Sequence, residues 1–258
     1  MMVTGLDPVV EALGGLAVAA PGGLSGKIFS RWLAAPSRIG DVFVAFTADG
    51  FDYVRTVESV HGDADEFGKA YRRRFGRPLR PAGRAPRGLL PALRGRWVAS
   101  LPLDLRGLSD FERDVLAATR RVPAGEVRPY AWIAREAGRP RAVRAVGSVL
   151  ARNPVPLLIP CHRVVRADGR IGDYLFGAGH KEELLRAEKV NVDEVQALAG
   201  AGVHFLASDT TGVVCFPTCH HARRITAAHR HGFARLATAI EAGYRPCRHC
   251  RPAPAEAP

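Results

Sequence analysis

The chain has 258 residues, 47% of them hydrophobic, enough for one to three ordinary cores. Its formal charge of +12 points to a polyanionic partner, because neutralising phosphates releases their counterions. The apolar opening that ends in LAVAA has no Lys or Arg before it and is broken by Asp7 and Glu11, so neither a secretory signal nor a membrane span is expected and the cytoplasm is the expected compartment.

Residues 1–36 form an extension to which the sequence assigns no role. A first unit is expected over 37–107. Two runs rich in β-branched and aromatic residues, DVFVAFT (Asp41–Thr47) and GFDYVRTV (Gly50–Val57), flank Ala-Asp-Gly, which predicts a hairpin in a small sheet. In DADEFGKAYRRRFG, Phe67, Ala70, Tyr71 and Phe75 recur at helical spacing, and Gly76 stops the helix. Between Arg72 and Arg96 stand nine arginines and no acid, with prolines at 78, 81, 86 and 91; this stretch is expected to be a solvated loop.

A second unit is expected over 108–190. Ser109 and Glu112 have the spacing of a capping box, and Phe111, Val115 and Leu116 form the apolar stripe behind it. PYAWIAREAG and PRAVRAVGSVLARN then predict two short helices joined at Gly138, with Pro140 opening the second, a helix-turn-helix. Val143, Val146 and Leu150 mark its core face, while Arg141, Arg144, Ser148 and Arg152 mark an exposed one. Gly147 and Ser148 remove bulk there, which suits a minor groove at least as well as a major one.

NPVPLLIPCHRVV carries Cys161 at the end of an apolar run read as a buried strand. A lone cysteine is commonly core filler. Here His162 adjoins it and can draw off its proton, turning a weak thiol into a nucleophile. Glu188 lies three and four residues beyond Leu185 and Leu184, beside a face expected to be buried, where a carboxylate wants a partner such as an imidazole. By spacing alone, this relay equally suits a thiol hydrolase.

PCHRV, preceded by NPVPLLI, resembles the signature of the O6-alkylguanine-DNA alkyltransferases, strongly over Ser109–Val190 and more loosely back to Ser37. The resemblance implies an α+β fold with a ribonuclease H-like N-terminal sheet and a winged helix-turn-helix catalytic part. It implies a monomer that binds the minor groove of duplex DNA, swings out O6-alkylguanine or O4-alkylthymine, and transfers the alkyl group once, irreversibly, to Cys161. His162, a water and Glu188 would activate the sulfur and Asn153 would brace the turn. Tyr130 would rotate the nucleotide and protonate the base, Arg144 would enter the duplex behind it, and Tyr174 would close the pocket. Arg141, Gly147, Ser148 and Arg163 complete the expected DNA contacts. Leu175 departs from the serine of some members.

A linker or helix is expected over 191–202, before a third unit over 203–258. Cys215, Cys219, Cys247 and Cys250 are spaced C-x3-C and C-x2-C across a 27-residue loop, the pattern of a tetrahedral zinc site; no organic cofactor is expected. The neighbouring His220, His221 and His249 read as surface groups. FLASDTTGVVCFPTCHHARR and AIEAGYRPCRHCRP resemble the zinc domain of the Ada adaptive-response proteins. That implies Cys215 as acceptor of a methyl group from a DNA methylphosphotriester; a module that only binds DNA, as part of a damage sensor or regulator, is the alternative. The module follows the alkyltransferase part instead of preceding it, and only eight residues remain after Cys250, so the activator role of Ada is not expected.

Overall fold

The computed structural model describes residues 28–96 and 101–253; the apolar opening and most of the unassigned extension lie outside them. Strands β1 (Ser30–Ser37), β2 (Gly40–Phe46) and β3 (Phe51–Thr56) form an antiparallel meander. Helix α1 (Ala64–Phe75) follows, its end fixed by Gly76 at φ 69°. Strand β4 (Leu79–Pro81) then adds parallel to β1, giving the order β3-β2-β1-β4.

The meander confirms the predicted hairpin and extends the sheet to Ser30, earlier than the expected boundary at 37. Every residue from Val42 to Phe46 is buried. Phe43 and Ala45 pack beneath Phe67 and Tyr71 of α1, while Val42, Val44 and Phe46 face the main core. A strand covered on both faces reads as a continuous apolar run, which explains why β2 does not alternate.

The arginine-rich stretch differs from its expectation. Besides β4 it forms α2 (Leu89–Leu93), whose Leu89 and Leu93 are buried. Burying two leucines contributes roughly 1.5–3 kcal/mol each, while the flanking Arg87 and Arg94 stay exposed to water.

Helix α3 (Asp110–Arg120) begins in the predicted capping box: Ser109 Oγ accepts from the Glu112 amide and the Glu112 carboxylate accepts from the Ser109 amide. Strand β5 (Arg128–Pro129) leads into α4 (Tyr130–Glu136) and α5 (Val143–Ala151), the expected helix-turn-helix. α5 starts at Val143, not at Pro140, so Arg141 lies in the turn. The apolar run before Cys161 is not a strand. It is a set of tight turns in which Leu157 adopts φ 71°, and Pro160 opens a 3-10 turn over Cys161–Arg163.

Strand β6 (Val164–Val165) pairs parallel with β5. Helices α6 (Ala178–Ala187) and α7 (Val192–Gly200) follow, so the expected linker is largely helical. The third unit has β7 (Phe205–Ser208), β8 (Val213–Cys215), β9 (Arg230–Phe233), α8 (Leu236–Glu241) and β10 (Arg245–Pro246), with sheet order β10-β8-β7-β9. Its buried residues are continuous with the main core.

Candidate active site and metal centre

Cys161 heads the 3-10 turn and is 5% exposed. Asn153, fully buried, braces it: its Nδ2 donates to Cys161 Sγ at 3.2 Å and to the Ile159 carbonyl at 3.1 Å, while its Oδ1 accepts from the Val155 amide. One side chain thereby fixes both the loop and the sulfur it presents.

His162 and Glu188 meet as expected. The imidazole Nε2 stands 3.1 Å from Glu188 Oε1, and both side chains are 3% exposed. Burial raises the pKa of Glu188, but hydrogen bonds from His162 and Arg163 outweigh it and bring the carboxyl down to about 2. Burial lowers the pKa of His162, so the ring is neutral near pH 7. A neutral ring beside a carboxylate donates from Nε2, which leaves Nδ1 as the acceptor. Nδ1 is buried and has no hydrogen-bond partner among the described residues.

Arg163 is a correction. The sequence placed it against DNA, yet it is 8% exposed and faces inward. Its Nε and Nη2 grip Glu188 at 2.9 and 2.7 Å and its Nη1 donates to the Val122 carbonyl at 2.7 Å. A forked guanidinium fits a carboxylate at two points, and a buried glutamate needs such a partner more than the surface needs another cation. Gly125 closes the other side: its amide donates to Glu188 Oε2 at 3.3 Å. At φ 77°, a Cβ there would lie 2.9 Å from the Glu188 carbonyl.

Burial pushes the Cys161 thiol up, and the Asn153 hydrogen bond, Lys181 and Arg55 only partly oppose it. The resting site therefore holds a thiol beside a neutral base. Lys181 is a residue the sequence reading missed. It is fully buried, and its Nζ donates to the carbonyls of Val164, Ile171 and Asp173. It precedes Leu184 and Leu185 by three and four residues, the same face argument that located Glu188, so the signal was present.

Tyr174 packs edge-on to His162 at 6.2 Å and to Phe176 at 5.6 Å; Phe176 was not anticipated. Burial raises the Tyr174 hydroxyl well above its ordinary range. Tyr130 opens α4, and burial likewise raises its hydroxyl. On α5, Arg144 and Ser148 are exposed and Gly147 is half-buried; Arg141 is exposed in the preceding turn.

In the third unit, Cys215, Cys219, Cys247 and Cys250 are all buried and their sulfurs converge within 4.8 Å of one another. Four thiolates at this spacing are the donor set of a structural zinc site. A groove of about 590 Å³ passes over Cys215, bordered by Thr211, Arg224, Arg245 and Arg248. The unit is seated on the helix-turn-helix: Trp132 Nε1 donates to the Cys250 carbonyl at 2.9 Å and the Val127 amide to Thr218 Oγ1 at 2.9 Å.

Comparison with known proteins agrees with this geometry. The family model for the 6-O-methylguanine DNA methyltransferase DNA-binding domain matches residues 110–190, and that for the metal-binding domain of Ada matches 195–253. The Mycobacterium tuberculosis OGT, solved in complex with DNA, is 30% identical with a TM-score of 0.51; the match covers 64% of this chain and 98% of that one. The chain belongs to the O6-methylguanine-DNA methyltransferase family. Among curated relatives, the Escherichia coli bifunctional transcriptional activator/DNA repair enzyme Ada is 47% identical over 92 residues, 36% of this chain and 26% of that protein. The methylated-DNA--protein-cysteine methyltransferase of Methanosarcina barkeri is 45% identical over 84 residues, 33% of this chain and 53% of that protein. The chain thus spans about a quarter and about half of these two relatives. The Ada-type module carries zinc on its four cysteines. Among the described residues no helix is long and apolar enough to cross a membrane.

Proposed function

We propose that this chain reverses alkylation damage in duplex DNA by moving the alkyl group of O6-alkylguanine, or O4-alkylthymine, to Cys161 in one irreversible step. The observation that carries this reading is the aligned set of Asn153, Cys161, His162 and Glu188, with an open acceptor at His162 Nδ1. The thiol proton passes through a water to Nδ1, and Glu188 steadies the imidazolium that forms. The sulfur attacks the alkyl carbon, the carbon–oxygen bond breaks, and its electron pair leaves with the base oxygen. Tyr130 donates the proton that neutralises the departing base. The thioether has no route back, so each molecule acts once.

The target atom is hidden in the base stack, so the nucleotide is extruded at a cost of a few kcal/mol. The exposed face of α5 meets the minor groove, with Gly147 and Ser148 allowing close approach and Arg141 holding backbone phosphate. Arg144 enters the duplex behind the displaced base, and Tyr174 closes over it. The protein works as a monomer in the cytoplasm, with the nucleoid.

The groove over Cys215 supports a second acceptor, for the methyl group of a DNA methylphosphotriester. Zinc bound there keeps the four sulfurs as thiolates. Thr211, Arg224, Arg245 and Arg248 border that groove and would hold the phosphate backbone, and a methylated sulfur would weaken the repulsion between this centre and DNA.

Peptide mass mapping after incubation with methylated duplex DNA tests both acceptors. One methylene gained on the Cys161 peptide, and none in Cys161→Ala, is the expected result; clearance of the base lesion by Cys161→Ala would overturn it. An unmodified Cys215 on phosphotriester substrate would leave the zinc unit as a DNA-binding module alone.

A further inference from the structure

A second cluster of metal-binding side chains lies against the zinc centre. Glu126, Cys219, His220 and His249 bring one ligand atom each within 4.8 Å of one another. Glu126 comes from the loop before β5; the other three belong to the zinc unit. Glu126 Oε1 lies 3.2 Å from His249 Nε2 and 3.6 Å from His220 Nδ1. A tetrahedral ion with arms of 2.0–2.1 Å has donor–donor edges of about 3.3 Å, so these separations need little adjustment.

We propose that Glu126, His220 and His249 bind a second divalent ion, with the Cys219 sulfur shared between it and the zinc held by the four cysteines. The proposal rests on the four-cysteine zinc reading for that bridge and for the charge beside it. Two imidazoles, a carboxylate and a thiolate select zinc or a neighbouring transition ion over magnesium or calcium, which prefer all-oxygen shells.

Charge favours occupancy. Arg128 pairs with the other carboxylate oxygen of Glu126, both are buried, and zinc with four thiolates would carry a formal −2 beside the new ion. The carboxylate is already held in place, because its Oε1 accepts from the His220 amide at 3.1 Å. The imidazoles supply the way in, since their side chains are 44% and 38% exposed while Glu126 is 3% exposed. An ion held by both units would clasp the zinc unit to the loop that enters the helix-turn-helix.

The test is metal stoichiometry of the full chain after equilibration with zinc and removal of unbound ion. The unaltered protein is expected to hold two equivalents and a His220→Asn/His249→Asn double variant one. A His229→Asn/His231→Asn control, whose imidazoles pair with Asp209 elsewhere on the unit, is expected to keep two. With cobalt as the probe, a shared sulfur predicts magnetic coupling that weakens the resonance of the doubly loaded protein, absent in the double variant. One equivalent in both proteins, or loss of an ion only from the control, overturns the second site and leaves the four-cysteine centre intact. Less than one equivalent throughout would overturn both.

Discussion

At the scale of single residues, Arg163 decides how the relay works. Glu188 is held at about 2 by His162 and Arg163, below the usual carboxylate value of about 4.3. Its folded pKa being depressed, its contribution is complete above the ordinary carboxylate range and drains away as pH falls towards 2. A shift of this size is worth on the order of 3 kcal/mol. Arg163→Gln is expected to move the acid limb of unfolding to higher pH, read from denaturant midpoints between about pH 2 and 6, and to slow transfer by loosening the anchor of His162. Cys161, His162 and Glu188 were legible because adjacency and helix-face spacing are local facts. Arg163 was misread because its partner lies 25 residues away, and a lone arginine in a basic chain carries no sign of being turned inward.

At the scale of elements, the proposed function divides gripping DNA from emptying the stack between two parts of the helix-turn-helix. Arg141 sits in the turn and Arg144 on the exposed face of α5. Arg141→Ala is expected to weaken duplex binding and to flatten the dependence of log affinity on log salt by about 0.9, the share of the slope that one neutralised phosphate supplies. Arg144→Ala is expected to slow transfer from duplex DNA while leaving transfer from the free alkylated base unchanged, since only the duplex needs a wedge. Helices with strong boundaries were legible, as the Ser109 cap and Gly76 show. The stretch before Cys161 was not, because an apolar run of that length fits a strand and a buried loop equally well, and the choice rests on Asn153 reaching Ile159 across the loop.

At the scale of the whole molecule, the two units share one core and one seam. Trp132 donates to the Cys250 carbonyl, so the metal loop and the first helix of the DNA-binding motif are tied directly. Stripping zinc with a chelator is therefore expected to alter Trp132 fluorescence and to lower the melting temperature of the alkyltransferase part, with Trp132→Phe weakening that link; two independent transitions would refute it. The cysteine pairs announced a metal, but nothing in their spacing announced what the unit leans on. The tight seat of Cys161, 5% exposed with Asn153 on its sulfur, has its own outcome. Once the sulfur carries a methyl group it becomes too large for its surroundings and a poorer acceptor for Asn153, and crowding of this kind typically costs about 1–3 kcal/mol. A molecule that had accepted a methyl group in this way would thus melt below a fresh one.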